Sequence, residues 1–188
     1  MPRTCVFLDG GYFQKVLERE FDRVRVDFSV IGPVLAERYE PLLRTYYYNC
    51  PPYQSGTPTL RERELVRNAD RFYYSLRNIP NLQVRLGRLA FRGVSRETGE
   101  PIFEQKRVDI QLAVDLLTLA HSRQIASAVV AAGDSDFIPA FQAAKDLGVR
   151  IVLLHGVGNP AHRDLIAVAD ERLRIDTSLI ERIRRSDA

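Results

Sequence analysis

The sequence predicts a parallel α/β sheet covered by helices on both faces, and three observations predict it. Short apolar runs alternate with segments whose apolar residues recur at helical spacing, the pattern of successive βαβ units. Two of those apolar runs end directly in aspartate. The 188 residues suffice for one domain that buries its core without disulfides.

The first strand covers 4–8 (Thr-Cys-Val-Phe-Leu) and stops at Asp9-Gly10-Gly11. A helix over 12–21 places Phe13, Val16, Leu17 and Phe21 at helical spacing. A second helix is expected over 29–39, then a strand over 43–49 and a turn at Pro51-Pro52. Within that strand Tyr46-Tyr47-Tyr48 alternates in and out as core. Residues 58–79 read as an amphipathic helix with Leu65, Ala69, Phe72, Leu76 and Ile79 inward. Strands over 82–92 and 102–106 flank a turn at Glu97-Thr98-Gly99, forming an added hairpin. A helix over 108–120 carries Val108, Leu112, Leu116 and Leu119 on one side. The buried strand 125–132 ends in Gly133-Asp134. Pro139 starts the next helix, where its missing N–H costs nothing, Gly148 stops it, and 149–154 is again a buried strand. Asn159-Pro160 opens a helix over 161–169, Asp170 reads as its end, and a last helix covers 177–185.

Composition narrows the function classes. No apolar run approaches the roughly 18 residues of a membrane span, which excludes an integral membrane protein. The short, soon-charged N-terminus does not read as a signal peptide. Cys5 and Cys50 match no metal spacing and read as reduced core residues of a cytoplasmic protein. The net charge is only +3, but segment 61–107 holds 11 basic residues against six acidic ones. A basic middle on a slightly acidic frame suits a polyanion docked on one face.

A parallel sheet places its ligand site at the carboxyl ends of its strands. Asp9 and Asp134 lie there, Asp136 follows two residues on, and Asp109 starts the helix before the second of those strands. Like charges gathered at one edge repel and raise one another's pKa, and a divalent cation relieves that repulsion. Oxygen-only ligands favour hard ions such as Mg²⁺ or Mn²⁺, which can activate water and stabilise the leaving oxygen of a phosphodiester.

Three motifs in series, Phe7-Leu8-Asp9-Gly10-Gly11, the run Gln105–Asp115, and Ala132-Gly133-Asp134-Ser135-Asp136-Phe137, resemble the NYN domain of the PIN-like nuclease superfamily, close to the LabA-type bacterial proteins. The resemblance covers roughly 3–175. It implies a PIN-like three-layer α/β/α sandwich with strand order 3-2-1-4-5, in which the Asp9 and Asp134 strands are neighbours. It also implies Mg²⁺- or Mn²⁺-dependent cleavage of RNA, with Asp9, Asp109, Asp134 and Asp136 on the acidic site positions. Asp115 matches a recurrent acidic position and Ser135 lies inside the third motif; both are expected to support the metal-holding residues. Tyr12 stands where many members carry Asn, a departure that implies weaker or differently tuned activity. Glu37 and Glu40 are loose matches to a further acidic position.

The basic segment supplies the approach. Arg63, Arg67 and Arg71 form an i, i+4, i+8 stripe, Arg85, Arg88, Arg92 and Arg96 follow, and Lys106 and Arg107 directly precede Asp109. Such a stripe suits successive phosphates of single-stranded RNA, and Tyr53, Tyr73 or Tyr74 could stack on unpaired bases. The expected protein is therefore a single-domain ribonuclease, endonucleolytic in action. The alternative is a non-catalytic RNA-binding or regulatory module on the same fold. A haloacid-dehalogenase-type phosphatase needs an acid two residues after the first Asp, where this chain has Gly11. The loop Gly156-Val157-Gly158 lacks the third glycine of a dinucleotide-binding turn. His121 and His162 read as surface or cap residues.

Overall fold

The computed structural model describes residues 1–95 and 101–185. In chain order the elements are β1 (Arg3–Asp9), α1 (Gly10–Glu20), α2 (Phe28–Ala36), β2 (Leu42–Asn49), α3 (Leu60–Arg77) and β3 (Leu82–Leu86). A hairpin of β4 (Arg88–Val94) and β5 (Pro101–Lys106) leads to α4 (Val108–His121), β6 (Ile125–Ala131) and a single 3-10 turn at Ser135–Phe137. Then come α5 (Ile138–Asp146), β7 (Arg150–Gly156), α6 (Arg163–Val168), β8 (Glu171–Ile175) and α7 (Thr177–Ile183).

The central sheet is wholly parallel, with strand order β3-β2-β1-β6-β7-β8. This is the expected 3-2-1-4-5 extended by a sixth strand at the edge. The short, charge-rich Glu-Arg-Leu-Arg-Ile of β8 gives no apolar run to announce it, a composition suited to an edge. Each central strand is buried on both faces because two separate cores sandwich the sheet. Cys5, Phe7, Tyr46 and Tyr48 face the core under α4, α5 and α6; Val6, Leu8 and Tyr47 face the core under α1, α2 and α7. The three tyrosines are thus all buried, and alternate between two cores rather than between core and solvent. Fully burying a side chain of this size contributes roughly 1.5–3 kcal/mol.

Two further expectations change. The strand expected over 82–92 breaks at Gly87, so β3 joins the central sheet while β4 leaves it to pair with β5. A Cβ at Gly87 would lie 2.4 Å from the Lys106 carbonyl, so only glycine lets the hairpin root there. Leu65 is 48% exposed, because α3 delivers only its C-terminal half, with Tyr73 and Leu76, to the sheet. Its other half starts on a capping box: Glu62 N–H donates to Thr59 Oγ1 and Thr59 N–H donates back to the Glu62 carboxylate. The turn expected at Glu97-Thr98-Gly99, and Arg96, lie outside the described residues.

Candidate active site

β1 and β6 are adjacent and in register, Leu8 opposite Ala131, so the chain leaves both strands at the same sheet edge. Asp9 is the last residue of β1 and the N-cap of α1; its Oδ1 accepts from the amides of Gly11 (3.0 Å) and Tyr12 (3.2 Å). Asp134 caps the 3-10 turn the same way, accepting from the Asp136 amide at 3.1 Å, with Ser135 Oγ 3.5 Å away. In both aspartates Oδ1 caps the start of the helical turn, and the other carboxylate oxygen has no hydrogen-bond partner among the described residues. Asp9 and Asp134 line one open cleft of about 430 Å³ with Gly11, Tyr12, Lys15, Gly133, Ser135, Asn159, Pro160 and His162.

Electrostatics ties the aspartates together. Burial pushes the Asp9 carboxyl up to about 6, against the pull of the Tyr12 and Gly11 amides and with the help of Asp109 and Asp134. Asp109, in the first turn of α4, is also raised, by desolvation and then by Asp134 and Asp136. Asp109 and Asp134 thus act on Asp9, and Asp134 and Asp136 act on Asp109, across three separate elements. No three Asp, Glu, His or Cys side chains stand close enough to hold an ion among the described residues. The donor set still suits a hard dication, since Mg²⁺ takes only one or two protein carboxylates and completes its shell with water and substrate phosphate.

Tyr12 takes a different role from the Asn it replaces. A Cβ at Gly133 would lie 2.5 Å from the Tyr12 ring, so the ring covers the backbone leading to Asp134 and glycine is required beneath it. The Tyr12 hydroxyl donates to the Asn159 carbonyl (2.8 Å) and accepts from the Gly156 amide (3.1 Å). Glu20, at the other end of α1, accepts from three successive amides of that loop, those of Val157 (2.9 Å), Gly158 (2.8 Å) and Asn159 (2.7 Å). Arg19 donates to Asn159 Oδ1. One helix thus carries Asp9 at its start and fastens the far wall of the cleft along its length. Sequence reasoning passed over Glu20, Lys15 and Asn159. The usable signal was that the loop after β7 opens on the same sheet edge, one strand beyond β6. His162 does cap α6, as expected, and also enters the cleft, its amide donating to the Gly133 carbonyl at 2.9 Å.

Other expected residues lie elsewhere. Asp115 is turned to β2 and β3: Tyr48 Oη donates to its carboxylate at 2.9 Å and Arg85 Nε at 3.1 Å. Glu37 pairs with Arg182, and Glu40 accepts from the Thr4 hydroxyl at the opposite end of β1, so neither reaches the cleft. Arg63, Arg67 and Arg71 are exposed on α3, and Arg107 is exposed just before α4. Lys106 is ion-paired with Glu104. Asp170 does follow a helix end, but its carboxylate is spent on the Ile151 amide and Lys145. A larger cavity of about 620 Å³ lies on the other side of α1, among Phe13, Phe28, Tyr47, Phe72 and Tyr73, and contains none of the clustered aspartates.

A VPA0982 protein of unknown function from Vibrio parahaemolyticus RIMD 2210633 is 16% identical and superposes with a TM-score of 0.64, over 98% of this chain and 96% of that one. That likeness is one of fold. Acinetobacter baumannii MurG, 12% identical over 99% of this chain and 44% of its own, reaches a TM-score of only 0.40, too low to bear on the site. No curated protein matches the chain. The NYN domain matches residues 3–176, nearly the whole described fold and all four clustered aspartates, and the chain therefore belongs to the NYN domain family, within the PIN-like nuclease superfamily.

Proposed function

We propose that this protein is a Mg²⁺- or Mn²⁺-dependent ribonuclease that hydrolyses phosphodiester bonds of single-stranded RNA endonucleolytically, working in the cytoplasm. The observation that carries the reading is the meeting of Asp9 and Asp134 in one open cleft at the ends of adjacent strands, with Asp109 near enough to add to the effect of burial on Asp9. One or two of Asp9, Asp109 and Asp134 would ligate the cation directly and the rest through its water shell, and Asp136 would ligate it or orient the attacking water. A bound dication supplies water activation and charge stabilisation at the leaving oxygen. Lys15 is the one lysine or arginine lining the cleft among the described residues and meets the phosphate backbone there. The exposed Arg63, Arg67 and Arg71 stripe, with Lys106 and Arg107, steers the strand in. Two buried, unpaired cysteines fit a reducing compartment.

A second reading, an RNA-binding or regulatory module without turnover, draws on one observation: no three ligating side chains are gathered among the described residues. Cleavage of a labelled single-stranded RNA with Mg²⁺ or Mn²⁺, for wild type and Asp134→Asn side by side, separates the two. Metal-dependent cleavage that the substitution removes establishes the nuclease and its site. RNA binding without cleavage by wild type selects the module, and cleavage that survives in the variant misplaces the site.

A further inference from the structure

The hairpin β4–β5 stands apart from the central sheet and carries an exposed aromatic cluster that the carboxylate cleft does not use. Phe91 and Phe103 are directly opposite each other across the two strands, with ring centroids 6.0 Å apart. Tyr53, from the loop after β2, completes the group at 4.9 Å from Phe103 and 6.1 Å from Phe91. The three rings pack on one another, yet Phe91 remains 49% and Phe103 37% exposed. An apolar strip left open on a two-stranded hairpin marks a surface that meets something.

Charge says what that something is. The described hairpin residues and the residue after them include Arg88, Arg92, Lys106 and Arg107 against the single acid Glu104, with Arg88, Arg92, Glu104 and Lys106 alternating onto the ribbon face opposite Phe91 and Phe103. Glu104 is shared between Arg92 and Lys106, and Arg88 and Arg107 have no ion-pair partner among the described residues. An aromatic face on a thin, basic two-stranded ribbon is the chemistry that recognises unpaired nucleic-acid bases while the other face meets their phosphates. A duplex keeps its bases stacked inside and offers nothing to these rings.

Connectivity places the surface on the approach to the cleft. Gly87 lies against Lys106, Val108 and Cys50, so the hairpin root, the loop bearing Tyr53 and the start of α4 meet at one point. Arg107 makes the transition in the left-handed region at φ = 80°, and Asp109 follows in the first turn of α4. Phe103 is thus about 10 Å of extended strand from Lys106, a few nucleotide steps from the aspartates.

We infer that Phe91, Phe103 and Tyr53 form a base-stacking platform for single-stranded RNA, which holds the strand while the scissile phosphate lies at the cleft. This rests on the ribonuclease reading for the identity of the strand, but binding and cleavage can be read separately. The chain has no tryptophan, so Phe91→Trp gives one indole reporter on the platform. Titrated in chelator with an unstructured oligouridylate, its emission is expected to be quenched saturably, whereas a duplex of equal length leaves it unchanged. The double substitution Phe91→Leu, Phe103→Leu keeps apolar packing but removes both ring faces. It is expected to weaken single-strand affinity by tenfold or more, as stacking is worth about 1–3 kcal/mol per base, with the thermal unfolding curve unchanged. Equal quenching by the duplex, or unchanged affinity in the leucine variant, overturns the platform. Absence of quenching by either RNA also overturns it and leaves the strip to a protein partner. Quenching without cleavage under any metal keeps the platform and removes the nuclease; cleavage with leucine-variant affinity intact does the reverse.

Discussion

Asp9 and Asp115 sit on opposite ends of one electrostatic contrast. Asp115 is fully answered: Tyr48 and Arg85 both donate to its carboxylate, and Arg85 in turn lies 5.7 Å over the Tyr46 ring. Asp9 has two backbone amides and no ion-pair partner among the described residues; burial raises it, and Asp109 and Asp134 add to that. Asp115 is given partners, whereas Asp9 is left in surroundings that disfavour its charge, the pattern that titratable groups at functional sites share. The difference cannot be seen in residue type, since both are aspartates within motifs shared with the family.

Substitutions on the two sides of this contrast should part company. The largest effect belongs to Asp134→Asn, which should lower metal-dependent RNA cleavage at least 100-fold, about 2.7 kcal/mol of barrier, without lowering the melting temperature, because asparagine caps the turn equally well. Asp115→Ala should do the opposite. It strands the buried Tyr48 hydroxyl and the Arg85 guanidinium, at a cost of about 2 kcal/mol in denaturant unfolding, while the folded variant still cleaves. A cleavage loss in Asp115→Ala that exceeds its loss of folded protein would dissolve the comparison.

Asp9→Asn should stabilise the metal-free protein. The folded state holds the Asp9 proton more tightly than the unfolded chain, about 6 against an ordinary 3.8. Stability is therefore lost as pH rises from about 4 to about 6 and stays lower above it. Removing the charge should recover about 3 kcal/mol at pH 7, read as a raised melting temperature in chelator, with almost no gain at pH 4. A lower melting temperature at pH 7 would mean that the Asp9 charge is answered after all.

Glu20→Ala leaves three loop amides to water and should cost about 1–2 kcal/mol, with cleavage falling more than stability accounts for, since the cleft wall at Asn159 and His162 loses its fastening. The mildest change is Arg63→Ala, Arg67→Ala, Arg71→Ala together. Single-strand affinity should drop at low salt and its salt slope should shrink by about 2, at ~0.7 per lost phosphate contact, with cleavage at saturating RNA unchanged.

Much of this was legible in the residues themselves. Apolar runs bounded by Gly, Pro and Asp located the four inner strands of the sheet, because a strand buried on both faces is mostly apolar, whereas β3 was legible only as part of a longer hairpin strand. The aspartates ending β1 and following β6 were readable as an edge pair, since a parallel sheet delivers all its strand ends to one side. Less was legible where packing rather than local pattern decides. The register of α3 put Leu65 on the apolar stripe, but the helix overhangs the sheet and leaves it in solvent. Edge strand β8 has too few apolar residues to declare itself, and the break at Gly87 depends on how close Lys106 comes.

The sequence by itself determined the parallel sheet, the alternation of its layers and the candidacy of Asp9, Asp109, Asp134 and Asp136, because periodicity and strand-end position are properties of neighbours along the chain. Only the tertiary structure decided that Asp115 belongs to Arg85 and Tyr48, that Tyr12 covers Gly133, and that Glu20 reaches across 137 residues or more to the cleft wall. Those contacts join segments distant in sequence, and which carboxylate finds a cation is settled only when the sheet brings them together.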